Sequence, residues 1–267
     1  MKFLIIILFL FQLPVLAQNI TLVNEFELPT NPVAISVDPF GSVYTVFING
    51  NIIKTDTSGK QLATHIRKTN SSDWQIDASN PYKIIIFNRD LQIVDIYNSD
   101  FGKINTIDLS LLDIGDVALC CISYNNSFWI LSSSNNELYH FSENLEIISK
   151  TNLNLTNVEI DNYSNCILKE SGSKLLLAEA KKQAYIFDIY GNFSNKFSKN
   201  SDIWEIDKDI VYYIQNDTLQ AYHMRLHEEI VLPVNTSNIN KFIINGNWIS
   251  ILSKNKISLF RKNNIKK

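Results

Sequence analysis

The sequence is poor in the residues from which metal centres, disulfide frameworks and phosphate-binding loops are built. Its 267 residues include only 3 cysteines, 4 histidines and 8 glycines. The cysteines and histidines lack the spacing of zinc ligands, and neither a Gly-rich phosphate loop nor a Gly-X-Ser-X-Gly nucleophile motif occurs. We therefore expect no metal, no cofactor and no catalytic group of these types.

An excess of positive charge and a helical pattern are also missing. The chain has 24 basic and 27 acidic residues, a net charge of −3, so no positive field attracts nucleic acid or anionic lipid. Beyond Ala17 no window combines a 3.6-residue apolar period with helix caps. The sequence therefore predicts an all-β protein that does not bind nucleic acid.

The first 17 residues have the pattern of a cleaved signal peptide. Lys2 is followed by an apolar run from Phe3 to Phe11, and Ala17 precedes the expected cut. The run is too short to span a bilayer, so we expect no membrane span. We predict a signal peptide at residues 1–17, one domain at 18–261 and a polar tail at 262–267, in a protein exported to the periplasm or associated with the outer membrane.

The stretch from Pro32 to Ile66 reads as one supersecondary unit. Asp-Pro-Phe-Gly at 38–41, Asn-Gly at 49–50 and Ser-Gly at 58–59 are turn signals between short apolar runs. These signals predict four antiparallel strands, at Val33–Val37, Val43–Phe47, Ile52–Thr55 and Gln61–Ile66. Four such strands within about 35 residues are typical of one blade of a β-propeller.

The same unit recurs along the chain. A residue near the end of each third strand repeats at intervals of 35 to 46 residues, at Thr55, Tyr97, Phe141, Phe187, Tyr222 and Phe260. The sixth unit supplies only three strands, while Ile20–Leu28 is strand-like and precedes the first unit. Pairing it into the sixth unit would remove two exposed edges. We therefore predict a six-bladed β-propeller of four-stranded antiparallel blades, closed by the N-terminal strand.

Blade 1 carries a resemblance to known families. Its segments VDPFGSVYTVF and NGNIIKTDTSG resemble the NHL and TolB-like six-bladed propellers, which implies that architecture for the whole mature chain. The VLAQ end of the signal peptide and the abundance of Asn, Ile and Lys are similar to exported proteins of Bacteroidota. Some propellers of these families hold a metal in the central channel, but their ligands do not map onto residues of this sequence.

Five residues are candidates for a partner or ligand face. Trp74 and Trp204 begin the first strands of blades 2 and 5, so they either form an aromatic platform at the channel mouth or wedge between blades as core. Leu111, Leu112 and Ile114 lie in an unusually apolar inter-blade loop. They either form an exposed partner site or fold back over the blade.

A second pool of residues suggests an enzyme. Asp38, Asp77 and Asp207 each follow a first strand, where an aspartate stabilises the turn by bonding its own backbone. Together with His140 and His223 they could instead serve a metal-dependent hydrolase or lactonase. The turn interpretation is the simpler one, because no ligand spacing supports the metal.

The three cysteines are expected to be small buried residues between blades. Cys121 and Cys166 fall at equivalent positions of adjacent blades, which makes a bridge conceivable, with Cys120 beside them. Neighbouring sheets, however, pack about 10 Å apart, which exceeds the usual Cα separation in a disulfide.

The missing catalytic groups and the broad rigid faces of stacked blades favour a non-enzymatic function. The sequence indicates a protein-interaction subunit or scaffold of a cell-envelope complex, such as one for outer-membrane secretion or assembly, with other envelope proteins as partners. The alternatives are the metal-dependent hydrolase and a small-ligand or glycan binder at the channel mouth.

Overall fold

The computed structural model describes residues 20–236 and 238–262. Within these ranges the chain forms 24 β-strands and four short 3-10 turns, and it contains no α-helix. The 3-10 turns are Leu109–Leu111, Tyr124–Asn126, Leu153–Leu155 and Tyr163–Asn165. None of the described residues belongs to a helix that is long and apolar enough to cross a membrane.

The strands form six antiparallel sheets of four, which are the blades. Blade 1 consists of β2 (Ala34–Val37), β3 (Val43–Val46), β4 (Ile52–Thr55) and β5 (Gln61–His65). Blade 2 consists of β6 (Trp74–Asn80), β7 (Lys83–Asn88), β8 (Ile93–Tyr97) and β9 (Lys103–Asp108). Blade 3 consists of β10 (Val117–Ile122), β11 (Phe128–Ser132), β12 (Glu137–Phe141) and β13 (Ile147–Asn152).

The second half of the chain repeats this order. Blade 4 consists of β14 (Cys166–Ser171), β15 (Lys174–Glu179), β16 (Ala184–Asp188) and β17 (Phe193–Phe197). Blade 5 consists of β18 (Trp204–Asp207), β19 (Ile210–Gln215), β20 (Thr218–His223) and β21 (Glu228–Asn235). Blade 6 consists of β22 (Lys241–Asn245), β23 (Trp248–Ser253), β24 (Lys256–Lys262) and β1 (Ile20–Glu27).

Blade 6 joins the two ends of the chain, which confirms the predicted closure. β1 pairs antiparallel with β24 from Ile20 opposite Lys262 to Glu27 opposite Lys256, with one bulge between Leu22 and Asn24. β24 includes Lys262, whose backbone N–H donates to the Asn247 carbonyl at 2.7 Å, and the predicted domain bounds stay a prediction. The predicted signal peptide and residues 263–267 lie outside the described residues.

Each blade buries both faces against its neighbours. Six hydrophobic clusters lie between successive blades, and the sixth joins Leu252, Ile257 and Leu259 of blade 6 to Ile35 and Val43 of blade 1. The second strands are the most apolar because they lie in the middle of these contacts, and every residue of β7 and β11 is buried. The ring is therefore closed by packing as well as by strand pairing.

The prediction that an aspartate stabilises the turn after a first strand is confirmed for Asp38. Asp38 Oδ1 accepts hydrogen bonds from the backbone N–H groups of Phe40 and Ser42, both at 2.9 Å. Asp77 Oδ1 makes the predicted bond two residues on, accepting from the N–H of Ser79 at 2.8 Å, but this bond lies at a bulge within β6 and not in the turn after it. The prediction is wrong for Asp207, because only two residues separate β18 from β19. Its carboxylate instead accepts a hydrogen bond from the Lys262 ammonium at 2.7 Å.

The closure can be tested at Gly59, in the turn between β4 and β5. Its φ is +82°, and an added Cβ would lie 2.8 Å from the ring of Phe26 in β1. We expect Gly59→Ala to lower the free energy of unfolding by more than the roughly 1–3 kcal/mol of left-handed strain, as measured by urea denaturation.

Two controls separate strain from contact. Gly246 also has a positive φ, but nothing lies within 4 Å of its Cβ position, so Gly246→Ala carries backbone strain alone. In a Phe26→Ala background the additional effect of Gly59→Ala should shrink. Equal effects of the two glycine substitutions would contradict the contact between β1 and blade 1.

The cysteines provide a second test of the packing. All three are free and buried, as predicted, and burial raises the pKa of each thiol. We expect Ellman's reagent to find no reactive thiol in the native protein and three in guanidinium chloride, since a buried thiol rarely forms the nucleophilic thiolate. Rapid native labelling would show that the blades separate readily.

Candidate functional site

The path of the chain divides the propeller into two faces. Each inter-blade loop enters at the start of a first strand, so it lies on the same side as the turn between the second and third strands. We call this side the upper face, and the side with the other two hairpin turns the lower face. The central channel, lined by the six first strands, opens between them.

Two leucines project from equivalent inter-blade loops of the upper face. Leu111 follows blade 2 and is 81% exposed, and Leu155 follows blade 3 and is 87% exposed. Each lies in a 3-10 turn whose first leucine, Leu109 or Leu153, is fully buried. The preceding Asp108 or Asn152 accepts a hydrogen bond from the turn's backbone, so the outward position of the second leucine is held by its own loop.

The surface between these leucines is continuous. The turn at 133–136 of blade 3 contacts both loops, because Asn135 Nδ2 donates to the Ile114 carbonyl at 3.0 Å and the Leu153 N–H donates to the Asn136 carbonyl at 3.0 Å. We call Leu111, Leu155 and this turn the leucine surface. It has an uncharged polar centre between two apolar projections.

The charged residues within the two loops have one sign. Neither loop, at 109–116 or 153–165, contains Lys or Arg. The loops and the residue before the first carry five exposed carboxylates, on Asp108, Asp113, Asp116, Glu159 and Asp161. Within the part of the chain that the structure describes, only Asp161 of these five makes an ion pair, with Lys182. The surface is therefore complementary to a partner with apolar and basic side chains.

The structure separates the three apolar residues predicted in the first loop. Leu111 is exposed, whereas Leu112 is half-buried and Ile114 is only 2% exposed in the core between blades 2 and 3. The expectation that all three could form one exposed patch is wrong. Ile114 is held inward because its carbonyl accepts from Ser132 Oγ at 2.6 Å, which draws the loop onto blade 3.

The two tryptophans belong to the core. Trp74 and Trp204 are each 3% exposed, and they pack between blades 1 and 2 and between blades 4 and 5. The Arg67 guanidinium lies 5.2 Å from the Trp74 ring, and Tyr213 lies 5.5 Å from the Trp204 ring. Burial thus confirms the core interpretation, and neither ring is open as a platform, although both residues border the channel cavity.

Polar side chains connect the first strands around the channel. Gln75 of blade 2 donates to the Ala118 carbonyl at 2.8 Å and accepts from the Cys120 N–H at 3.2 Å in blade 3. Asp77 accepts from the Ile122 N–H at 2.9 Å in the same neighbour. These bonds satisfy the inner edges of neighbouring sheets and fix the position of the channel wall.

A buried ion pair lies in the channel wall. The Lys169 ammonium of blade 4 contacts the Glu205 carboxylate of blade 5 and donates to the Ile244 carbonyl of blade 6 at 2.6 Å. Glu205 also accepts from the backbone of Ile244, and burial raises its pKa. Farther down, Asn245 donates to the Ser79 carbonyl of blade 2 at 3.4 Å. Lys169 and Asn245 thus each reach a blade two places away around the ring.

The upper mouth of the channel holds a second set of charges. Lys241, the first residue of β22, donates to the Val33 carbonyl at 2.9 Å. Asp73 lies 3.4 Å from Arg89, which donates to Ser164 Oγ at 2.9 Å. A cavity of about 340 Å³ lies between them and the Lys169–Glu205 pair.

The five residues proposed for a hydrolase are distributed over four blades, with Asp207 and His223 both in blade 5. His140 is fully buried in blade 3, with its ring stacked 4.2 Å from that of Trp129 and its Nε2 2.9 Å from Ser127 Oγ, and burial lowers its pKa. His223 lies in blade 5, far along the chain from Asp38 in blade 1. Within residues 20–236 and 238–262 no three potential ligands are close enough to hold a metal ion.

Sequence reasoning missed Leu155, Lys241, Asp73 and the Lys169–Glu205 pair. A signal for Leu155 was present, since Asp-Leu-Ser-Leu at 108–111 and Asn-Leu-Asn-Leu at 152–155 share one pattern. The charged residues carried no comparable signal, because their partners lie in blades that are distant in sequence.

The buried ion pair can be tested by removing either partner. Lys169→Met should lower the free energy of unfolding by about 3–5 kcal/mol, because Glu205 would remain as an uncompensated buried charge. The double variant Lys169→Met/Glu205→Leu should recover much of this loss in urea denaturation. Additive losses would instead show that the two side chains do not interact.

Comparisons with known proteins establish the fold. No protein family matches the sequence, and no curated protein is significantly similar to it. Among solved structures, the Pan2 WD40 domain of Neurospora crassa has a TM-score of 0.60 at 10% identity, covering 94% of this chain and 98% of that one. Virginiamycin B lyase of Staphylococcus aureus has a TM-score of 0.57 at 14% identity, covering 93% of this chain and 90% of that one. BamB of Moraxella catarrhalis has a TM-score of 0.52 at 9% identity, covering 91% of this chain and 100% of that one. The chain is a six-bladed β-propeller.

Proposed function

We propose that this protein is a non-enzymatic interaction subunit of a cell-envelope complex, exported by its signal peptide. The observation that carries the proposal is the leucine surface. Two leucines at equivalent positions of neighbouring blades are held outward by capped turns, although each turn also buries a leucine. An exposed apolar pair on neighbouring loops, rimmed by polar residues and held by a rigid support, supports a protein-binding role.

The partner proposed for this surface has apolar side chains flanked by Lys or Arg. The apolar groups would contact Leu111 and Leu155, and the cations would lie against the unpaired carboxylates of Asp113, Asp116 and Glu159. Exposed charges of this kind mainly increase the rate of association and weaken with salt. Binding should therefore tighten as ionic strength falls.

The export and the envelope setting rest on the sequence pattern of residues 1–17. The similarity to BamB and to Pan2 concerns the fold alone, at identities of 9% and 10%. A lyase also has this fold, so the non-enzymatic assignment rests on the dispersed positions of the candidate catalytic residues.

The test is a matched set of surface variants. The tagged protein is purified in mild detergent from its own envelope, and stoichiometric partners are identified by mass spectrometry. We expect Leu111→Asp/Leu155→Asp to lose the partner without a change in Tm, since both side chains are exposed. Leu226→Asp, at a 60% exposed leucine on the lower face, should retain it.

Two outcomes would contradict the proposal. The purified wild-type protein could be a monomer without partners, which would remove the interaction function. Alternatively, all three proteins could retain the same partner at the same salt concentration, which would move the interface away from the leucine surface.

A further inference from the structure

The mouth of the channel contains a cation that lacks an anion. The Lys241 ammonium has one hydrogen bond, to the neutral Val33 carbonyl, and no carboxylate of the described residues lies within ion-pair distance of it. Burial lowers its pKa, and the negative field of Asp73 opposes this effect. Since an ammonium group has three donors, two of them are available to another group in the cavity.

Other charged groups of the channel wall are compensated. Lys169 contacts Glu205, and both carboxylate oxygens of Asp77 accept backbone N–H groups. Lys262, at the lower end of blade 6, contacts Asp207. Lys241 therefore differs from them, because a charge shielded from water normally has an ionic partner.

Asp73 provides the opposite charge at the same mouth. Its Oδ2 lies 3.4 Å from Arg89, and its Oδ1 has no partner among the described residues. Burial raises the pKa of this carboxyl group, and the fields of Arg89 and Lys241 oppose the rise. Asp73 immediately precedes the first strand of blade 2, and Lys241 begins the first strand of blade 6. Val33, in blade 1, lies between these two blades. They interact through their fields without touching.

The cavity beneath these two groups can hold a small molecule. Its volume of about 340 Å³ lies in the range of small-molecule sites. The lining includes Asp77, Asp202 and Glu205 as further carboxylates, against Lys169 as the second ammonium. A multiply charged anion would be repelled by this lining. A molecule with one negative and one positive group would match the two incompletely paired charges.

We propose that the channel mouth binds a small zwitterion of the amino-acid type, with its carboxylate on Lys241 Nζ and its ammonium group on Asp73. Lys241 would complete its hydrogen bonds with the ligand's carboxylate, and Asp73 Oδ1 would accept from the ligand's ammonium. Ser72 and Ser164 border the same opening and offer hydroxyl groups to the rest of the molecule. This site is separate from the leucine surface.

The wild-type protein is tested first, with the twenty free α-amino acids as probes in a thermal-shift screen followed by calorimetry. We expect at least one to bind. The N-acetyl and the C-terminal amide forms of that amino acid each lack one charge, and each should bind at least about tenfold more weakly. Inorganic phosphate should not compete.

Variants then assign the two contacts. Lys241→Met and Asp73→Asn should each weaken binding by at least about tenfold. Lys254→Met, at an exposed lysine of the same blade outside the cavity, should leave it unchanged, and so should Leu111→Asp/Leu155→Asp. If Lys241→Met does not fold, Lys241→Arg is used instead. It retains the positive charge, so it should retain binding.

The proposal is overturned if none of the twenty amino acids binds. It is also overturned if the acetylated form or phosphate binds as well as the free amino acid, because the site would then recognise an anion alone. Failure here leaves the leucine surface intact, and loss of the protein partner leaves this site intact, so the two proposals are tested separately.

Discussion

Pairing between the first strand and the last is the interaction on which the rest of the structure depends. Each blade is apolar on both faces and must be covered twice, so six blades can satisfy one another only in a closed ring. β1 supplies the outer strand of blade 6, and this leaves blade 6 a complete sheet that can pack against blades 5 and 1. Without that strand, β24 would be an unpaired edge.

Ring closure also determines where binding surfaces can form. The first strands are fixed around the channel by side chains that reach the next blade, as Gln75 and Asp77 do. The inter-blade loops can then differ in sequence while their ends stay in place. Leu111 and Leu155 lie in two of these variable loops at the upper face. Lys241 and Asp73 lie at the mouth of the central channel. One rigid architecture thus carries two separate candidate surfaces.

The architecture was predictable from the sequence because its signals are local. The apolar second strand recurs in each unit and turn residues such as Asp38 and Gly59 recur in some, and one missing strand pointed to Ile20–Leu28. The site was less predictable because burial in a loop depends on distant residues. Leu111 and Ile114 are similar in sequence character, yet a hydrogen bond from Ser132 places only one of them inside. Lys241 and Asp73 are brought to the same mouth of the channel only by ring closure.

The position of β1 imposes an order on folding. Ile20 lies in the first of the 24 strands, and its partner Lys262 lies in the last. No nucleus can include this pair before the whole domain is available, and such long-range contacts form slowly. β1 therefore stays unpaired while the strands of blades 1 to 5 are synthesised. Until β24 is synthesised, β1 has no partner with which to complete blade 6, and the ring cannot close.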